Sequence, residues 1–146
     1  MSGTLDKSPD VAGRREQLIA LGRSLPEAEA ERAGPQHLAF KVRKKIFAYY
    51  LYDHHGDGRI ALVCKAPPGE QGRLMEVNPS RYFFPPYVGP KGWVGLRLDS
   101  ARVDWTAVKN LVLAAYFMTA PAKLREQLKQ GTLHKVGTGR RRPTRA

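Results

Sequence analysis

The stretch His37-Leu38-Ala39-Phe40-Lys41-Val42-Arg43-Lys44-Lys45-Ile46-Phe47-Ala48-Tyr49-Tyr50-Leu51-Tyr52 decides the fold. Leu38, Phe40 and Val42 alternate with His37, Ala39, Lys41 and Arg43, the period-2 pattern of a strand with one apolar and one largely basic face. Residues 46–52 are dense in aromatic side chains, which favour pleated, half-buried positions. Between them Arg43-Lys44-Lys45 has the length of a hairpin turn. A hairpin with a basic turn is the nucleus from which the rest is read.

Downstream, Asp53-His54-His55-Gly56-Asp57-Gly58 is a turn signal ending in Asp-Gly. Residues 59–65 follow as a third strand, with Ile60, Leu62 and Cys64 on one face, so a three-stranded antiparallel meander is expected. Residues 66–79 open on Pro67-Pro68, which suits a first helical turn, and close on Asn78-Pro79. Leu74, Met75 and Val77 give this short helix little to bury. Residues 82–92 read as an aromatic and proline loop. Residues 93–98 read as a strand, Val94, Leu96 and Leu98 alternating with Trp93, Gly95 and Arg97.

The last third is helical. Asp104 is a candidate N-cap, and Trp105, Val108, Leu111, Val112, Ala115 and Thr119 share one face. Residues 111–118 are apolar nearly all round, which predicts the main buried helix. Pro121 starts a second helix that Gly131 caps. At the other end, Pro9-Asp10 leads into a helix with Val11, Leu18, Ile19 and Leu21 as its thin apolar side, ended before Pro26. The expected organisation is a flexible start over 1–9, a single α+β domain over 10–131 with an antiparallel sheet packed against helices, and a flexible basic tail over 132–146.

The chain carries 25 Lys and Arg against 13 Asp and Glu, a net charge of +12 that attracts polyanions at long range. Residues 1–34 are close to neutral, whereas residues 35–134 hold most of the excess, so the tail does not explain it. Nucleic acid, an acidic membrane surface and an acidic protein are the partner classes this raises. No stretch approaches the apolar length of a membrane span, and residues 1–10 lack the hydrophobic core of a signal peptide. The single cysteine, Cys64, excludes an internal disulfide and fits a reducing compartment, so a cytoplasmic location is expected.

Motifs for catalysis are missing. Gly-x-Ser-x-Gly, the phosphate loop and Gly-x-Gly-x-x-Gly do not occur, and the acids of the body are scattered singly. His54-His55 with Asp57 reads as a polar turn, since adjacent residues on an extended chain point apart. Cys64 falls in an apolar strand and reads as an inert thiol. No enzyme, metal or cofactor is expected. Lys41, Arg43, Lys44 and Lys45 are dense and uninterrupted by acids, and Lys91, Trp93 and Arg97 add cations beside an aromatic ring. Cations neutralise phosphates and rings pack on sugars and bases, so these seven residues form a candidate nucleic-acid surface. Arg140, Arg141 and Arg142 in the tail supply sequence-independent phosphate affinity.

Three blocks of the chain resemble the MmcQ/YjbR family of small bacterial proteins. The first is Leu25-Pro26-Glu27 followed by Phe40-Lys41-Val42-Arg43-Lys44-Lys45-Ile46-Phe47-Ala48. The second is Pro85-Pro86-Tyr87 through Lys91-Gly92-Trp93-Val94-Gly95-Leu96-Arg97-Leu98-Asp99, and the third Ala115-Tyr116 followed by Ala122-Lys123-Leu124. The resemblance implies a frataxin-like (CyaY-like) α+β fold and a DNA-binding protein with a double-wing arrangement. The chain departs from the family pattern at Lys44, where a turn glycine is usual, at Gly92, where a polar residue often precedes the Trp, and at Ala115, where Ser is usual. The iron-binding acidic ridges of frataxins are not expected in so basic a body.

The expectation is therefore a non-catalytic protein that binds DNA through Lys41, Arg43, Lys44, Lys45, Lys91, Trp93, Arg97 and Arg140–Arg142, with weak sequence preference. An interaction or small-anion-binding module docking an acidic protein or a metabolite is the alternative. A third, weaker one is an enzyme using Tyr or His residues near the aromatic loop.

Overall fold

A computed structural model describes residues 11–53, 56 and 58–130. In chain order the elements are α1 (Val11–Arg23), β1 (Ala28–Arg32), β2 (Leu38–Val42), β3 (Lys45–Tyr52), β4 (Ile60–Cys64), α2 (Glu70–Val77), β5 (Tyr82–Phe83), a 3-10 turn (Gly89–Lys91), β6 (Val94–Arg97) and α3 (Trp105–Thr119). Residues 122–130 form a further helix, α4. The strands make one six-stranded antiparallel sheet in the order β1-β2-β3-β4-β6-β5, an α+β fold.

The hairpin and the third strand form where the alternation predicts, and the sheet then grows on both sides. β1 was not anticipated. It reads Ala-Glu-Ala-Glu-Arg, residues that favour helix in isolation, and becomes a strand because its backbone pairs along β2 from Ala28↔Val42 to Arg32↔Leu38. The expected aromatic loop begins with β5, whose two residues pair with β6. Pro67 and Pro68 precede α2 and do not open it; its N-cap is Gly69 at φ 85°. Within β3 the register shifts beside Phe47, so Phe47 and Ala48 are both fully buried.

All the helices contribute to one core against one face of the sheet. Leu18 of α1, Leu74 of α2, Val108, Leu111, Val112, Ala115 and Tyr116 of α3, and Leu124 of α4 pack on Leu38, Phe40, Phe47, Tyr50, Ile60, Leu62, Cys64, Val94 and Leu96. Asp104 caps α3, its Oδ1 accepting from the Thr106 and Ala107 N–H groups at 3.1 and 3.2 Å. α1 approaches β2 so closely that a Cβ on Gly22 would lie 2.5 Å from the Phe40 ring. Its thin apolar side is supplemented by Arg14, which donates to the carbonyls of Leu98 (2.6 Å), Ser100 (2.7 Å) and Ala101 (3.1 Å) beyond the end of β6.

Arg14 thus fixes α1 to the β6–α3 connection through charge-assisted bonds. Arg14→Met keeps the stem and removes those bonds, and is expected to destabilise the protein by about 2 kcal/mol. In urea unfolding the midpoint falls while the slope is unchanged. An unchanged midpoint would show that Leu18 and the Gly22 contact alone dock the helix.

Candidate functional site

The outer face of the sheet, away from the helices, is not the open basic surface that the sequence suggests. Cross-strand register places Ala39, Tyr49, Val63, Gly95 and Phe83 in one row across β2, β3, β4, β6 and β5. Ala61, Val63 and Trp93 form a second buried cluster there, packed by Ile46, Tyr49, Leu51, Phe83 and Val88. Its cover is the 83–93 segment. Phe83 lies directly on Gly95, where a Cβ would meet the ring at 2.4 Å. The Gln71 side-chain amide holds the segment from α2, donating to the carbonyls of Gly89 (2.8 Å) and Trp93 (2.6 Å).

Beyond this cover a cavity of about 220 Å³ remains open. Tyr49, Leu51, Ala61 and Val63 floor it, and Phe83, Pro85, Pro86, Tyr87 and Val88 wall it, with Ala33, His37 and Arg59 at its margin. The Arg59 guanidinium stands 4.0 Å over the centre of the Phe83 ring. His37 Nδ1 accepts from the Tyr52 N–H at 3.1 Å, which leaves the ring proton of the neutral form on Nε2. Tyr87 is 73 % exposed and adopts φ 68°, a left-handed conformation rare for a bulky residue.

The expected cations divide into two groups. Lys41 pairs with Glu31 at 2.8 Å, Arg43 with Glu27 through two hydrogen bonds, and Arg97 with Asp99 through two at 3.0 Å. The bond to Glu31 pushes Lys41 up, and the Arg43 guanidinium holds Glu27 below the usual carboxylate range. All three cations are therefore partly neutralised by acids, two of them from the β1 segment. Trp93 is only 9 % exposed, its ring centre 5.9 Å from that of Tyr49 and packed with Ala61 and Val63, so its ring is not an open stacking surface. Lys44, Lys45 and Lys91 are exposed and have no ion pair among the described residues. Arg140, Arg141 and Arg142 lie outside the described residues, as do His54, His55 and Asp57.

The topology brings Lys44, Lys45 and Lys91 to one end of the sheet and adds Lys65, which the sequence reading passed over. The Lys65 N–H donates to the Phe47 carbonyl at 3.2 Å, and Cys64 pairs with Val94 in β6. The start of β3, the end of β4 and the segment before β6 therefore lie side by side. The only sequence signal for Lys65 is its place directly after an apolar strand. The cavity had a clearer one: residues 46–52 and 60–64 are apolar or aromatic on both parities, the mark of strands covered on two faces.

The two-residue turn that carries Lys44 is strained. Arg43 and Lys44 both have positive φ, 50° and 69°, as a type I′ hairpin turn requires, although Asn-Gly is the favoured solution there. Strain retained at such positions is a pointer to function. Lys44→Gly is expected to raise stability by up to about 1 kcal/mol, read as a higher unfolding midpoint. A lower midpoint would mean that the Lys44 side chain makes a contact that outweighs its strained backbone.

Comparison with known proteins fits this architecture. The YjbR family model matches residues 23–118, which run from the end of α1 almost to the end of α3. The chain belongs to the YjbR family. A crystal structure of Deinococcus radiodurans protein DR2400, a DUF419 domain, superposes with a TM-score of 0.62 at 20 % identity, covering 79 % of this chain and 87 % of that one. No curated protein sequence matches the chain.

Among the described residues no three His, Cys, Asp or Glu side chains converge on a point, and no helix is long and apolar enough to cross a membrane. Cys64 is fully buried, and desolvation pushes its thiol up to about 12. At pH 8 about one thiol in 10⁴ is then ionised, so a thiol reagent is expected to modify Cys64 only as fast as the protein unfolds. Rapid labelling of the native protein would contradict that burial.

Proposed function

We propose that the protein binds DNA without catalysis, gripping the phosphate backbone with the lysine-bearing end of its sheet. The observation that carries this reading is the convergence of Lys44, Lys45, Lys65 and Lys91, none of them in an ion pair among the described residues. Lysines that no carboxylate neutralises keep their full attraction for phosphate and release counterions when they bind it. Lys41, Arg43 and Arg97 contribute less, because a phosphate must first compete with Glu31, Glu27 and Asp99. Arg140, Arg141 and Arg142 add further cations. Phosphate contacts set position and not sequence, so the preference among duplexes is weak. Membership of the YjbR family and the double-wing resemblance are consistent with this reading.

A salt series of duplex affinity tests it, with a duplex of arbitrary sequence and the full chain. The logarithm of affinity should fall against the logarithm of salt with a slope of several units. Replacing all four lysines by Ala should flatten that slope by up to about 3.6 units, at about 0.9 per phosphate. Combining Glu27→Gln with Glu31→Gln should steepen it, because Lys41 and Arg43 are released. A parental slope near zero, or a four-lysine variant with the parental slope, rejects the reading.

A further inference from the structure

The cavity on the outer face has a chemistry of its own, separate from the lysine row. Its floor and walls are aromatic, aliphatic and proline side chains, and none of the described lining residues is acidic. Flat apolar walls favour a ring, which gains offset or edge contacts with Tyr49, Phe83 and Tyr87. At about 220 Å³ the space is smaller than the roughly 300–1,000 Å³ of drug-sized sites and suits a single ring system. Among the described lining residues Arg59 carries a full charge, set over Phe83 at the cavity margin. Stacking on a ring uses the face of a guanidinium, whereas its N–H donors lie in its plane, the geometry that recognises carboxylate and phosphate.

We infer that this cavity is a binding site for a small molecule made of one flat aromatic ring system carrying a carboxylate or phosphate. The ring lies between the Tyr49–Val63 floor and the Phe83–Tyr87 wall, and the anion faces Arg59. Tyr87 forms the outer side of the mouth. It is the most exposed aromatic side chain among the described residues, and its left-handed backbone sets the ring at the rim. His37, its Nδ1 accepting from the Tyr52 N–H, stands at the same margin.

The probes are adenosine monophosphate and benzoate, followed by the aromatic NMR resonances of the full chain. Adenosine, which lacks the anion, and cyclohexanecarboxylate, which lacks the flat ring, are the controls. Both probes should shift the resonances of Tyr49, Phe83 and Tyr87, and both controls should bind more weakly. Arg59→Gln should weaken the probes about ten- to a hundredfold, the range of a lost charged hydrogen bond, while Arg59→Lys should weaken them less. Tyr87→Ala, at an exposed position, should weaken them without disturbing resonances away from the cavity. The four-lysine variant should bind the probes as the parent does, so the cavity and the duplex reading can fail separately. Absence of shifts up to about 10 mM probe overturns the inference. So do shifts that map to the lysine row, or equal binding by the controls.

Discussion

β4 is buried along its whole length and on both faces, and the rest of the molecule is arranged to satisfy it. Ile60, Leu62 and Cys64 are covered by helices, which an amphipathic chain supplies readily. Ala61 and Val63 face the other way and need a second cover. That cover is the 83–93 segment, brought back over the sheet by β5 and by the hydrogen bonds from Gln71. Gly95 is the residue that lets it close, since any side chain there would occupy the place of the Phe83 ring. The cover is narrower than the sheet, and the cavity is the part of the outer face it leaves open.

The same arrangement redistributes the charge. A strand with Lys and Arg on its outer face looks basic in isolation. In the sheet it lies beside β1, whose Glu31 pairs with Lys41, while Glu27, just before β1, pairs with Arg43. Among the described residues of the sheet and its connections, lysines outside these pairs stand at turns and at or just past strand ends. Lys44, Lys45, Lys65 and Lys91 occupy such positions. Trp93 precedes β6, its ring spent on covering Ala61 and Val63.

What was legible in the sequence follows from which signals are local. The alternation of residues 37–43, the Asp104 cap and the apolar run of residues 111–118 are set within a few residues, and the structure has them where the sequence predicts. β1 was not legible because nothing in Ala-Glu-Ala-Glu-Arg specifies a strand; only the unpaired edge of β2 does. The position of β6 beside β4 is likewise a non-local fact. For the candidate sites the residue types were readable, but their pairing was not. Lys41 and Lys44 look alike along the chain, and the difference between them is Glu31, ten positions before Lys41 in sequence and hydrogen-bonded to it in space.

The corner where β1 meets the hairpin shows how the strained turn is maintained. Glu27, Arg43 and Lys44 all have positive φ, and Ala28 pairs with Val42 between them. Three unfavourable backbone conformations in one corner would relax unless the surroundings fixed them. Two tethers do so. The Glu27 carboxylate and the Arg43 guanidinium join the two sides of the corner, and the Tyr116 hydroxyl of α3 donates to the Pro26 carbonyl at 2.7 Å. Arg43 is thereby committed to the protein itself. Lys44, next in the chain, has no such tie among the described residues, and the corner holds its exposed ammonium beyond the edge of the sheet. A glycine there would relieve the turn and remove that charge, so the strain is the cost of placing a cation at the tip.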